Sequence, residues 1–241
     1  MAPNCLTALP VFNEAPHICR VLDEVLRHSS QVLVVDDGST DETGRLLAHR
    51  QDIHVLTHPE NRGYGTAILS AFRYAIERQY DILVTIDCDG QHEPQRISAF
   101  VAACSEADIV SGSRYLRRYR DDTDPPEDRR RINQQLTTRL NQQLGLKLTD
   151  AFCGFKAYRV EALKQLKLQE TGYAMPLELW VQARAHGLRV IELPVPLIYL
   201  EQRSFGGELD DAEARLRHYH EVLERSMRSI SLDIFEATIH R

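Results

Sequence analysis

Cysteine is scarce and unpatterned in this chain. Cys5, Cys19, Cys88, Cys104 and Cys153 are odd in number, widely scattered over 241 residues and form no C-x-x-C pair. That excludes a disulfide framework and a structural zinc site, and implies a reducing, cytoplasmic setting. Long apolar runs are missing too: no stretch approaches the about 18 residues that span a bilayer. The opening Met1-Ala2-Pro3-Asn4-Cys5 has no basic segment leading into an apolar one, so no export signal is expected. Positive charge is in deficit. The formal net charge of −6 argues against nucleic acid as a partner. No G-x-G-x-x-G turn follows the first apolar run, which leaves a nicotinamide-dependent oxidoreductase poorly supported. Repeats and low-complexity segments are absent as well. With 43% hydrophobic and 27% charged residues, the chain has ordinary globular composition.

What is present is alternation. Short β-rich runs at Cys5–Leu9, Gln31–Val35, Ile53–Thr57, Asp81–Ile86 and Asp108–Ser111 read as strands. Between them, Pro16–His28, Thr40–Arg50, Gly65–Arg78 and Pro94–Cys104 show helical spacing. Ser39-Thr40-Asp41-Glu42 has the form of a capping box for the second helix, and Pro94 suits a first helical turn. The pattern predicts an α/β fold, a mostly parallel Rossmann-like sheet with helices on both faces and a ligand crevice at the carboxyl ends of the strands.

From Arg114 to Arg131 the composition changes: seven arginines and five acidic residues surround Pro125-Pro126. This reads as a mobile functional loop. Beyond it, Ile132–Leu144 reads as helix, Phe152–Arg159 as strand, Pro176–His186 as helix, and Arg189–Leu200 as an edge strand interrupted by two prolines. Asp211–Ile230 reads as a terminal amphipathic helix with Leu216, Tyr219, Leu223, Met227 and Ile230 on one stripe. That stripe packs on the domain or, flanked by Arg215, Arg217, Arg225 and Arg228, meets a membrane surface or a second copy. The expected division is a main domain over 1–207, in two halves at 1–115 and 116–207, and a helical extension at 208–241.

The strongest chemical signal is Asp87-Cys88-Asp89-Gly90-Gln91-His92, directly after an apolar strand. Extended backbone alternates faces, so Asp87 and Asp89 point the same way, about 7 Å apart, while Cys88 points inward. Such a pair can hold one hard divalent cation that keeps sites for phosphate oxygens. Alone, it reads better as an acidic strand-end turn, since the pattern occurs often by chance. Its neighbours change that. Pro10-Val11-Phe12-Asn13-Glu14 follows the first strand and Val34-Val35-Asp36-Asp37-Gly38-Ser39 the second. Asn61-Arg62-Gly63-Tyr64-Gly65 precedes the third helix, and Gly112-Ser113-Arg114-Tyr115 follows the fifth strand. In order and spacing this set resembles the family-2 glycosyltransferases of GT-A fold.

The resemblance implies roles. Pro10, Phe12, Glu14, Asp37, Asp87, Cys88 and Asp89 would form the nucleotide-sugar site, with Phe12 beside the base and Glu14 and Asp37 accepting from ribose or base. Asp36 would support the loop. Asp87, Asp89 and Gln91 would hold Mg²⁺ or Mn²⁺, and His92 would cap the next helix. Leu148-Thr149-Asp150-Ala151-Phe152-Cys153-Gly154-Phe155-Lys156-Ala157-Tyr158 is similar to the acceptor-side segment of polyprenyl-phosphate mannosyl- and glucosyltransferases. Gly172-Tyr173, Pro176-Leu177-Glu178-Leu179, Glu192-Leu193-Pro194-Val195 and Arg203-Ser204-Phe205-Gly206 continue that likeness. It gives Asp150, Cys153 and Glu178 an acceptor-side place and makes Asp87, Asp89, Arg114 and Arg203 the catalytic set. Two departures stand out: Cys153 where the family commonly has serine, and Gly207-Glu208 where it has Ser-Lys.

An acceptor phosphate fits the residues. A sugar hydroxyl needs a general base, whereas a phosphate monoester is mostly ionised at pH 7. Asp150 and Glu178 are the candidate bases, each equally readable as structural. Arg114, Arg117, Arg118, Arg129, Arg130, Arg131 and Arg203 suit bidentate phosphate binding, or pair with Asp121, Asp122, Asp124, Glu127 and Asp128. The expectation is an inverting hexosyltransferase that takes GDP-mannose or UDP-glucose to polyprenyl phosphate, in the cytoplasm or at the inner face of the membrane. Two readings stay open beside it: a soluble enzyme acting on a sugar hydroxyl or small phosphorylated metabolite, and a non-catalytic nucleotide-sugar-binding module.

Overall fold

The computed structural model describes residues 3–200 and 204–239, with side chains to Ile230. The described residues form one seven-stranded sheet: β1 (Cys5–Val11), β2 (Val32–Asp36), β3 (His54–Thr57), β4 (Ile82–Thr85), β5 (Ile109–Ser113), β6 (Lys156–Arg159) and β7 (Val190–Pro194). The order is β3-β2-β1-β4-β6-β5-β7. All pairs are parallel except those of β6, which runs antiparallel between β4 and β5. The chain reverses its order at β1, which has β2 on one side and β4 on the other. The ends of β1 and β4 therefore frame a crevice of the kind where open α/β sheets bind ligands.

Alternation of side chains divides the core in two. Leu6, Ala8, Leu33, Val35 and Leu83 face one layer, with helices α3 (Tyr64–Glu77), α5 (Glu127–Leu144), α7 (Met175–Ala185) and α8 (Ala212–Ile239) packed over them. Leu9, Val11, Val32, Val34, Ile82 and Val84 face the other, under α1 (Ile18–Leu26), α2 (Thr43–Ala48) and α4 (Ile97–Ala103). Strands buried on both faces read as continuous apolar runs, which is why they are legible without alternation.

Several expectations need correction. The helix expected from Ile132 begins at Glu127, so the arginine-rich loop is shorter than its composition suggests. Glu127 and Asp128 fall in the first turn, where acidic groups complement the helix dipole. Phe152–Phe155 is not strand. The short helix α6 (Val160–Leu163) had no sequence signal. No capping box forms: α2 starts at Thr43, and Ser39 Oγ instead accepts from Asn13 N–H at 2.9 Å. On α8, Tyr219 and Leu223 are buried, with Leu216, Met227 and Ile230 packed against the same core. The apolar stripe thus packs on the domain. No helix among the described residues is long and apolar enough to cross a membrane.

Candidate active site

Loops after β1, β2, β4 and β5 surround a cavity of about 870 Å³. After β1, Phe12 stands 41% exposed at its wall, while Glu14 is buried. Asn13 adopts a left-handed φ of 56°. From there its Oδ1 accepts from Thr40 N–H and Asp41 N–H at 2.8 and 3.2 Å, locking the first loop to the second. Asp36 accepts from Ser39 N–H at 3.0 Å and supports its own loop, as expected. Asp37 is buried and accepts three hydrogen bonds: from His58 Nδ1–H at 2.5 Å, Arg62 N–H at 3.1 Å and Gly63 N–H at 2.8 Å. His58 Nε2 lies 2.9 Å from Ser70 Oγ on α3. Asp37 thereby fixes the Asn61–Gly63 turn while still lining the cavity.

After β4, Asp87, Cys88 and Asp89 all line the cavity, with Cys88 buried; residues 88–89 form a turn, so the expected strand alternation does not carry through the motif. Asp87 accepts from Tyr64 O–H at 3.1 Å and lies 3.5 Å from His92 Nε2. Burial alone would raise its pKa, but hydrogen bonding and charge from His92, then Tyr64, hold it below the ordinary carboxylate value. Asp89 Oδ1 accepts from Gln91 N–H at 2.9 Å. His92 caps no helix. Its ring edge meets Phe155, and its buried Nδ1 has no hydrogen-bond partner. The turn after Cys153 passes so close that a Cβ on Gly154 would sit 1.9 Å from Asp87 Oδ2.

After β5, Arg114 lines the cavity and grips Asp150 with both prongs, Nε to Oδ2 at 2.7 Å and Nη2 to Oδ1 at 2.9 Å. Asp150 is fully buried and also accepts from Asn133 Nδ2–H at 2.7 Å and Phe152 N–H at 3.1 Å. Burial would raise its pKa; the Arg114 charge and hydrogen bonds bring it down to about 2. Such a group takes no proton from an acceptor near neutral pH. Asp150 does not line the cavity, and neither do Cys153 and Glu178. Cys153 is core, its thiol pushed up to about 12 by burial. Glu178 accepts from Gln169 N–H and Glu170 N–H at 2.8 and 2.7 Å and so holds the turn before α7. These three are acceptor-side in sequence but structural in contact. Arg203 lies outside the described residues.

Among the other loop arginines, only Arg129 reaches the cavity; Arg131 pairs with Glu213. Tyr173, Tyr199, Phe205, Arg215 and Tyr219 also line the cavity, and Tyr173 stacks on Tyr64, the residue that donates to Asp87. Arg215 and Tyr219 come from α8, which amphipathic spacing alone could not assign to the site. Lys156 was also not anticipated. It is buried, donates to Cys153 O and lies 5.5 Å from the Trp180 ring, and desolvation lowers its pKa.

The cavity lining carries both signs of charge, drawn from different stretches of the chain. Its acidic lining residues, Glu14, Asp37, Asp87 and Asp89, all precede residue 90; its arginines, Arg114, Arg129 and Arg215, all follow residue 113. Among the described residues no three His, Cys, Asp or Glu side chains gather to hold a metal by themselves. Two carboxylates with the Gln91 amide beside them make an all-oxygen set. That fits a hard cation completing its shell from a bound diphosphate.

The family Glycosyl transferase family 2 matches residues 7–167. An undecaprenyl-phosphate mannosyltransferase of Micrococcus luteus is 33% identical over 206 residues, covering 81% of this chain and 84% of that protein. A polyprenol monophosphomannose synthase of Mycolicibacterium smegmatis is 32% identical over 206 residues, covering 79% and 76%. Among solved structures, glucosyl-3-phosphoglycerate synthase from Mycobacterium tuberculosis, in complex with Mn²⁺ and UDP-glucose, superposes with TM-score 0.72 at 21% identity. That likeness covers 93% of this chain and 79% of the other, and it concerns the fold.

Proposed function

The chain belongs to glycosyl transferase family 2, and from that premise we propose a metal-dependent, inverting hexosyltransferase acting from GDP-mannose or UDP-glucose onto polyprenyl phosphate. The observation that carries this reading is the mixed charge of one cavity lining. Glu14, Asp37, Asp87 and Asp89 can receive a cation and the diphosphate it carries, and Arg114, Arg129 and Arg215 in the same lining can receive a second phosphate. The kinship with enzymes named for polyprenyl-phosphate substrates supports the same acceptor.

Phe12, Glu14 and Asp37 hold the nucleoside. Asp87, Asp89 and Gln91 would hold Mg²⁺ or Mn²⁺, which supplies Lewis-acid neutralisation of the departing diphosphate when bound. Tyr64 and His92 fix the Asp87 carboxylate for that task. On the acceptor side Asp150 grips Arg114, which still lines the cavity; the family likeness would add Arg203, which lies outside the described residues. A dianionic phosphate oriented there needs no general base. Attack from the face opposite the leaving group inverts the anomeric centre. A lipid acceptor implies peripheral membrane contact; Leu116 and Leu200, 46% and 53% exposed, follow the cavity residues Tyr115 and Tyr199.

The test pairs purified protein and labelled donors with short-chain polyprenyl phosphate, the matching polyprenol, a small phosphorylated metabolite and simple sugars, with and without a chelator. Transfer to the lipid phosphate, abolished by chelation, is expected. Transfer only to polyprenol or a sugar overturns the phosphate reading, and transfer only to the small metabolite moves the site to a soluble acceptor.

A further inference from the structure

The strip from Ser204 to Ala214 carries four acidic side chains, Glu208, Asp210, Asp211 and Glu213, and no lysine or arginine. Yet Ser204, Phe205, Gly206 and Leu209 line the same cavity as Arg114, Arg129 and Arg215. Uncompensated acidic charge beside an anion site would weaken binding there. Two features bear on it. Asp210, itself exposed, is tied back to the strip, accepting from Ser204 Oγ–H at 2.7 Å, Phe205 N–H at 2.7 Å and Gly206 N–H at 3.3 Å. Arg215, the first cation after the strip, lies one turn into α8 and is 2% exposed.

Arg215 ties three elements together. Its Nη1 donates to Leu209 O at 2.6 Å and to Asp210 O at 3.4 Å, while Nη2 pairs with Asp128 in the first turn of α5. Its guanidinium carbon lies 4.4 Å from the centre of the Phe205 ring, the same distance as that of Arg129. Tyr173 meets the ring edge-on at 5.2 Å. A planar fork that bonds in two directions and stacks on a ring is arginine chemistry that lysine does not reproduce.

We propose that Arg215 is a positioning residue for acceptor binding: it clamps Ser204–Asp210 across the acceptor end of the cavity and keeps a cation where the strip has none. The effect on acceptor rests on the phosphate-acceptor reading above; the clamp does not. The terminal helix is then part of the acceptor site as well as a cover for the core.

Hydrogen–deuterium exchange and steady-state kinetics on the full chain test this. Arg215→Gln should speed exchange at the Phe205–Asp211 amides by about tenfold or more, with β1 and β4 amides unchanged. KM for polyprenyl phosphate should rise about tenfold, while donor affinity stays within about twofold of wild type. Arg215→Lys, keeping charge without the fork, should show the same faster exchange. If Arg215→Gln does not fold, Asp128→Asn breaks the same clamp from α5. Unchanged exchange in both variants overturns the proposal. So does faster exchange with an unchanged acceptor KM, or a loss of donor affinity equal to that of acceptor. If wild type uses no phosphate acceptor at all, the functional reading fails, and the exchange measurement still judges the clamp.

Discussion

Asp37 holds three hydrogen bonds from the protein itself, and this changes what its removal should do. One carboxylate orients His58, the Arg62 and Gly63 amides and, in the proposed site, the nucleoside. Asp37→Ala leaves buried donors unpaired as well as removing a ligand contact. Nucleotide affinity measured by calorimetry should fall by about 1–3 kcal/mol, with a lower melting temperature. Equal affinity in variant and wild type would refute the assignment. Asp150 makes a different prediction. Its folded-state pKa of about 2 lies below the ordinary 3.8, so folding favours the ionised form. Its contribution is complete above about pH 4 and is lost as pH falls from there through about 2. Asp150→Asn should cost about 3–5 kcal/mol near neutral pH, because Arg114 is left half-buried with an uncompensated charge. Urea unfolding at several pH values should show that the variant lacks the wild-type loss of stability across that acid window. A wild-type-like acid slope in the variant would assign that slope to other carboxylates.

At the scale of elements, legibility followed the period of burial. β1, β2, β4 and β5 are largely buried on both faces and were found from sequence within two or three residues, as were α1, α3 and α7. The D-x-D pair was legible because it follows such a strand closely, whereas its expected alternation with Cys88 was not met, since residues 88–89 form a turn. β6 was harder. Its direction depends on which strands it slides between, and nothing local in Lys156–Arg159 encodes antiparallel pairing with β4 and β5. The start of α5 was hidden because Glu127–Arg131 is wholly polar, and its stabilisation comes from the helix dipole and from Arg215 rather than from an apolar stripe. The roles of Asp150, Cys153 and Glu178 were hidden because sequence order does not say which side of a loop meets the cavity. The antiparallel insertion has a functional consequence through Gly154. Only the missing Cβ lets the turn before β6 press against the Asp87 carboxylate, and an added methyl would overlap Oδ2. Gly154→Ala should displace Asp87 and cut turnover by about two orders of magnitude, with metal-dependent nucleotide affinity falling and metal-free nucleotide affinity nearly unchanged. Single-turnover rates beside nucleotide binding would separate these effects, and wild-type turnover would show that the turn yields instead.

At the scale of the whole molecule, the two ends of the chain meet in one cavity. The first 90 residues supply its carboxylates and the last 130 supply its arginines, including Arg215 from the terminal helix. An enzyme arranged this way should have a pH dependence set by its substrate more than by a side-chain base. Asp150 is ionised throughout the working range and does not line the cavity. The acceptor phosphate, with a second pKa near 6, is then the group whose ionisation controls attack. The rate at subsaturating acceptor should be level above about pH 7 and fall close to tenfold per pH unit below about 6, as the dianion is replaced by the monoanion. Replacing the acceptor phosphate by a phosphonate analogue, whose second pKa is higher, should move the same limb upward in pH. The product should carry the anomeric configuration opposite to that of the donor, which nuclear magnetic resonance of the isolated sugar phosphate reads directly. If the acid limb stays fixed when the acceptor pKa moves, a protein group controls the step, and a base from outside the described residues becomes the better explanation. If the configuration is retained, attack does not occur opposite the diphosphate, and the direct-displacement reading fails.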